Sequence, residues 1–178
     1  MKKLFILSIL LFFSVNISAQ SLLRNGTYSI SGSISYSSIS NDNSSYTRSV
    51  FTFNPNVGYF FYNNFYTALS LDFSYVSDGI VSRTSYGFGP TVRYYFDANR
   101  TLKPFLGLGY NYSVLSKDVS SDNFIISGGS DFFVTNYFAF EASVNYSFIN
   151  YHEPANSYSG DTKSKMFNVM VGVNYFIH

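Results

Sequence analysis

Phe140-Glu141-Ala142-Ser143-Val144-Asn145-Tyr146-Ser147-Phe148 places an apolar or aromatic side chain at every second position and a polar one between. A helix would bring its apolar residues round every three or four positions. A period of two is the mark of a strand with one apolar and one polar face. The same alternation occupies almost the whole chain. Tyr28, Ile30, Gly32, Ile34 and Tyr36 stand against four serines, and Phe51, Phe53, Pro55, Val57, Tyr59 and Phe61 against Thr52, Asn54, Asn56 and Gly58. Leu69, Leu71, Phe73 and Tyr75 form a third apolar row, and Tyr86, Phe88, Pro90, Val92, Tyr94 and Phe96 a fourth. Leu106 to Tyr112, Phe124 to Phe132 and Phe167 to Ile177 repeat the pattern, which with Phe140 to Phe148 makes eight segments. Each is near the length that spans a bilayer when tilted.

The joins between segments alternate in length. Tyr62-Asn63-Asn64, residues 97–101 and Thr135-Asn136 read as short turns. Residues 38–47, 77–84, 116–123 and 150–164 read as longer polar loops. Aromatic runs such as Tyr59-Phe60-Phe61, Tyr94-Tyr95-Phe96, Phe132-Phe133 and Tyr175-Phe176 fall on the short-turn side, where a membrane interface favours them.

Composition bears on which face points inward. Aromatic residues make up 21% of the chain and charged residues only 12%, about half the charge of an ordinary soluble domain. The interior of an eight-stranded barrel is just wide enough to pack side chains or hold one small ligand. The bulky rows of eight strands would overfill it, whereas Ser, Gly and Asn fit. The apolar rows also carry no charge, while the opposite rows carry Asp72, Arg93, Asp131 and Glu141, with Lys103 near an end. The expected fold is therefore all-β: an eight-stranded antiparallel up-and-down transmembrane β-barrel with its apolar face toward lipid. In hydrocarbon every backbone N–H and C=O must be paired, so the first and last strands are expected to close on each other. Pro55, Pro90 and Pro104 lack a donor and are expected at bulges or strand ends.

Residues 1–19 read as a signal peptide. Lys2 and Lys3 form the charged start, Leu4 to Phe13 the apolar run, and Ile17-Ser18-Ala19 the cleavage region, leaving 20–178 as the barrel domain. With a formal net charge of +1, no basic surplus points to nucleic acid. The absence of Cys removes disulfides and thiolate chemistry.

Asn54-Pro55-Asn56-Val57-Gly58-Tyr59-Phe60, Gly87-Phe88-Gly89-Pro90-Thr91-Val92-Arg93-Tyr94-Tyr95-Phe96, Lys103-Pro104-Phe105-Leu106-Gly107-Leu108-Gly109-Tyr110 and Val171-Gly172-Val173-Asn174-Tyr175-Phe176 follow one another at hairpin spacing. In these motifs the chain resembles the small outer-membrane β-barrel domain family, porin-like barrels that include OmpA-type transmembrane domains and OmpX-like proteins. The resemblance implies a place in the bacterial outer membrane, contact with its lipid, and insertion by the barrel assembly machinery. That machinery would read Val171, Val173, Tyr175 and Ile177 as the C-terminal insertion signal, with Ile177 where the family ends on Phe.

Asp72, Arg93, Lys103, Asp131 and Glu141 are expected to form a charge network in the lumen, because an unpaired buried charge is costly. No catalytic residues, metal ligands or cofactor are expected. His152 lies beside Glu153, with Pro154 where the lipid A deacylases carry the Ser of their His-x-Ser arrangement. The expected role is structural or surface interaction by a monomer, with residues 150–164 the segment suited to an extracellular partner. A narrow pore for small solutes or ions is the alternative, and a lipid-modifying enzyme stands behind both.

Overall fold

In the computed structural model, residues 23–40, 47–77, 82–116, 119–152 and 162–178 are described; the expected signal peptide and the centres of the four outer loops lie outside them. Eight strands follow in chain order: β1 Tyr28–Ser40, β2 Thr47–Tyr62, β3 Phe65–Ser77, β4 Ser82–Tyr95, β5 Leu102–Ser116, β6 Val119–Phe133, β7 Phe138–His152 and β8 Thr162–Ile177. Each pairs antiparallel with its chain neighbour, and β1 pairs with β8 from Tyr28↔Ile177 to Ile34↔Val171, so the sheet closes. Closure leaves no unpaired edge for hydrocarbon to face, as the physics of a bilayer requires.

The strands run 13 to 16 residues, longer than the roughly 9–11 needed to cross a bilayer. The surplus lies at the long-loop end. β6 starts at Val119 and β7 runs to His152, so much of what reads as loop in residues 116–123 and 150–164 is strand standing above the membrane.

Alternation sorts the side chains as volume demands. Leu106 is 59% exposed and Val57 61%, whereas Asp131 on the opposite face is fully buried. The outward face is banded. Tyr36, Phe51, Tyr75, Tyr86, Tyr112, Phe124, Phe148 and Phe167 set one exposed ring on every strand toward the long-loop end. Tyr28, Phe61, Phe65, Tyr94, Phe132, Phe140 and Tyr175 do so on every strand but β5 toward the short turns. The residues between are mainly aliphatic, among them Ile30, Leu69, Leu71, Val92, Leu108, Ile126, Val144 and Val171. Aromatic rings belong at the two headgroup levels and branched aliphatics in the acyl region, so the two rings mark the membrane boundaries. The sequence shows the short-turn belt; pairing the strands reveals its counterpart at the other end.

The prolines depart from expectation. Pro104 sits near the start of β5, but Pro55 and Pro90 lie inside β2 and β4 without a shift of register. A strand residue donates its N–H to one neighbour only, so a proline interrupts one pairing and leaves the other whole. Pro55 stays in register with Gly32 of β1, while the β2–β3 ladder skips Asn54 and Pro55. The Leu71 carbonyl, opposite that gap, accepts a hydrogen bond from Asn54 Nδ2 at 2.9 Å instead. Pro90 stays in register with Leu69, and the β4–β5 ladder skips Gly89 and Pro90. There the Tyr110 carbonyl approaches so closely that a Cβ on residue 89 would collide with it, which explains the glycine.

Candidate functional site: the barrel interior

The aromatic runs at the short turns serve two environments. Because direction alternates, one ring of each run faces lipid and the next faces the lumen. Phe60, Tyr95, Phe133 and Phe176 turn inward, where they pack with Tyr66, Phe105, Ala68, Ala139 and Leu23 in one buried cluster. Phe60 lies at its centre, with ring centroids 5.0 Å from Tyr66, 5.5 Å from Tyr95 and 6.2 Å from Phe176. The Tyr66 ring lies in the space a side chain on Gly58 would take, and its hydroxyl pairs with Ser29 Oγ at 2.9 Å. The segment before β1 completes the closure. Leu23 is fully buried in the cluster, and its carbonyl accepts from the Asn64 N–H at 3.0 Å. Thr27 O accepts from the Phe60 N–H at 2.8 Å. His178 bridges Thr27 Oγ1 and the Asn136 carbonyl, each at 3.0 Å, which ties the chain end to this segment.

An ionic layer rests on the aromatic one. Arg93 on β4 reaches across the lumen to Glu141 on β7, with Nη1–Oε2 2.7 Å and Nη2–Oε1 3.2 Å. Its guanidinium lies 4.3 Å from the centroid of the Phe105 ring, a cation–π contact that also excludes water. Asn174 on β8 donates from Nδ2 to Asp131 Oδ1 at 2.9 Å and to Glu141 Oε2 at 3.0 Å. Asp131 and Glu141 are direct partners in the β6–β7 register. Of the five charges expected to pair, three therefore gather here: Arg93, Glu141 and Asp131. A two-pronged Arg–carboxylate pair is the strong form of such a bond.

The other two go elsewhere. Lys103 is buried at the short-turn end and donates to Asp97 Oδ1 at 2.6 Å, while Asn64 Nδ2 donates to Asp97 Oδ2 at 2.8 Å. Lys103 thus fastens the turns below the aromatic layer. Asp72 stands above the ionic layer, its carboxylate accepting from Asn54 Nδ2 and Asn111 Nδ2. Around it the wall turns to small polar groups: Thr52 pairs with Ser74 at 3.2 Å, Ser70 with Thr91 at 3.3 Å, and Ser113 donates to Asn111 Oδ1 at 2.6 Å. They line a cavity of about 130 Å³ whose floor includes Arg93 and Glu141. That space is polar and large enough to hold several water molecules.

Sequence reasoning missed Asp97, Asn174 and the inward aromatic rings. The sequence does carry signals for two of these. Asn174 lies on the polar row of the last segment, and adjacent aromatic residues in a strand must point to opposite faces. Asp97 sits in a turn, where periodicity says nothing. Val171, Val173, Tyr175 and Ile177 all face outward, and Phe176 faces in, 1% exposed. His152 Nε2 lies 2.8 Å from Asp122 Oδ2 at the outer end of the wall. Residues 153–161, with Glu153, Ser157 and Ser159, lie outside the described residues.

A family model for the outer membrane protein beta-barrel domain matches residues 5–176. The chain belongs to the outer membrane protein β-barrel domain family. It is a small protein of the bacterial outer membrane, a closed eight-stranded barrel in contact with lipid. No curated protein sequence matches it. Among solved structures, this outer-membrane barrel is similar to Neisserial surface protein A, at 18% identity and a TM-score of 0.63, covering 85% of this chain and 97% of that one. It is similar also to OprG of Pseudomonas aeruginosa, at 17% identity and TM-score 0.55, covering 87% and 97%. Ail of Yersinia pestis aligns at 19% identity and TM-score 0.52, covering 86% and 100%. At these identities the likeness is one of fold.

Proposed function

We propose that this outer-membrane barrel is a non-conducting, non-catalytic monomer with a structural or surface-interaction role. The observation that carries this is the double seal across the lumen. The aromatic cluster around Phe60 fills the short-turn end, and the Arg93–Glu141–Asn174–Asp131 layer covers it. A path for ions would have to break a buried ion pair and displace packed rings. The polar cavity lies above the seal, on its long-loop side. The strands that project beyond the outer aromatic ring, and residues 150–164 that join two of them, offer the surface an extracellular partner would meet. The outward row Val171, Val173, Tyr175 and Ile177 is also our proposed signal to the barrel assembly machinery. Its support is that the row stays apolar and accessible along the strand that closes the barrel.

Planar-bilayer recordings test the seal. The purified protein is expected to be silent, and Phe60→Ala combined with Arg93→Ala to open a conductance. Steady openings from the unaltered protein would show a pore instead.

A further inference from the structure

The outward wall above the outer aromatic ring is uneven in charge. On β2, β3 and β4 it continues with Ser49, Ser77, Ser82 and Thr84, all neutral. On β8 the same level carries Lys163 and Lys165, two residues apart on one face and both exposed. Lys165 is in register with Phe148 and Lys163 with Asn150 on β7. Alternate strand residues stand about 6.5–7 Å apart, so the two ammonium groups can reach one small anion together. Among the described residues the acid on this part of the wall is Asp122, which is already engaged by His152 Nε2 at 2.8 Å and by the Tyr110 hydroxyl. Neither lysine makes an ion pair among the described residues. Phe148 beside Lys165, and Phe167, Tyr146 and Val169 below, form an exposed apolar strip that runs into the membrane band.

Two positive charges immediately above an aromatic ring, over an acyl-facing strip, match one kind of ligand in both charge and shape. We propose that Lys163 and Lys165 hold the phosphate of an outer-leaflet lipid whose acyl chains lie along the β7–β8 wall. The apolar strip argues for a lipid and against free phosphate, which would gain nothing from it. A surface charge pair at this level attracts an anionic headgroup by roughly fivefold per lysine. The barrel would then carry a fixed lipid on one side of its circumference.

The test is lipid retention by the full chain, folded in phosphatidylcholine vesicles containing phosphatidic acid, then extracted and weighed by native mass spectrometry. The unaltered protein should retain phosphatidic acid over phosphatidylcholine by about tenfold or more. Lys163→Gln/Lys165→Gln should lose most of that preference, and Lys163→Arg/Lys165→Arg should keep it. Heat-modifiable migration on gels verifies that each variant is folded; both side chains are exposed, so the barrel should form. Inorganic phosphate at millimolar concentration should not displace the lipid. Equal retention by the Gln variant, or no preference in the unaltered protein, overturns the proposal. Displacement by inorganic phosphate would mark an anion site without a lipid and would overturn it equally.

Discussion

The two ends of the lumen share one backbone pattern and differ in what fills it. At the short-turn end, inward positions are Phe60, Tyr66, Tyr95, Phe105, Phe133 and Phe176, packed ring against ring and sealed by Leu23. At the long-loop end they are Thr52, Asn54, Ser70, Asp72, Ser74, Asn111 and Ser113, which leave a cavity. The dry end gains from burial and dispersion, and every ring lost leaves a hole that lipid cannot fill. The wet end gains little from any one contact, because water can replace the hydrogen bonds. Arg93 and Glu141 sit at the boundary, with rings on one side and the polar cavity on the other, while Asp131 and Asn174 are buried beside them. Stability should thus rise from the outer mouth to the seal.

The sharpest way to break that comparison is Arg93→Met, which leaves Glu141 and Asp131 side by side with no cation. It should cost about 3–5 kcal/mol in urea unfolding of the vesicle-folded barrel. Arg93→Met/Glu141→Met should recover most of that loss, and a double variant as weak as the single one would show the pair is not the cause. Phe60→Ala should cost about 3–5 kcal/mol by the same measurement. Its counterpart in the wet end, Ser74→Ala, should stay within about 0.5 kcal/mol; comparable losses would erase the distinction between the two ends. Val144→Arg places a charge toward lipid and should cost about 2–4 kcal/mol. Asn145→Arg, one position along and facing the cavity, should cost much less, which checks the assignment of faces. Asp72→Asn should cost about 1–2 kcal/mol, between the charge removals at the seal and Ser74→Ala, because Asn54 and Asn111 lose a charged acceptor but not their access to water.

Of the interior, the sequence exposes membership more readily than partnership. Asp72, Arg93, Asp131 and Glu141 all lie on polar rows, so their inward direction is legible from parity. Which of them meet is not, because reach across a lumen depends on strand tilt and on the order in which strands close. Arg93 and Glu141 are separated by 48 residues, and their contact spans the barrel and not a hairpin. Lys103 also reads as luminal, yet its ammonium pairs with Asp97 in the turn, although Asp131 is its partner in the β5–β6 register. The prolines show the same division. Pro55 and Pro90 announce a missing donor, but only the folded sheet shows that Asn54 supplies one of the lost bonds.

Alternation at period two, with charge confined to one row between the two aromatic rings, was enough by itself to determine a closed barrel with its bulky face toward lipid. The reason is local: a strand sends successive side chains to opposite sides, and hydrocarbon tolerates neither a charge nor an open edge. The tertiary structure alone decided that the lumen is plugged at one end and hollow at the other. Phe60, Tyr95, Phe133 and Phe176 come from four different strands, and only the closing of the sheet brings their rings to one level.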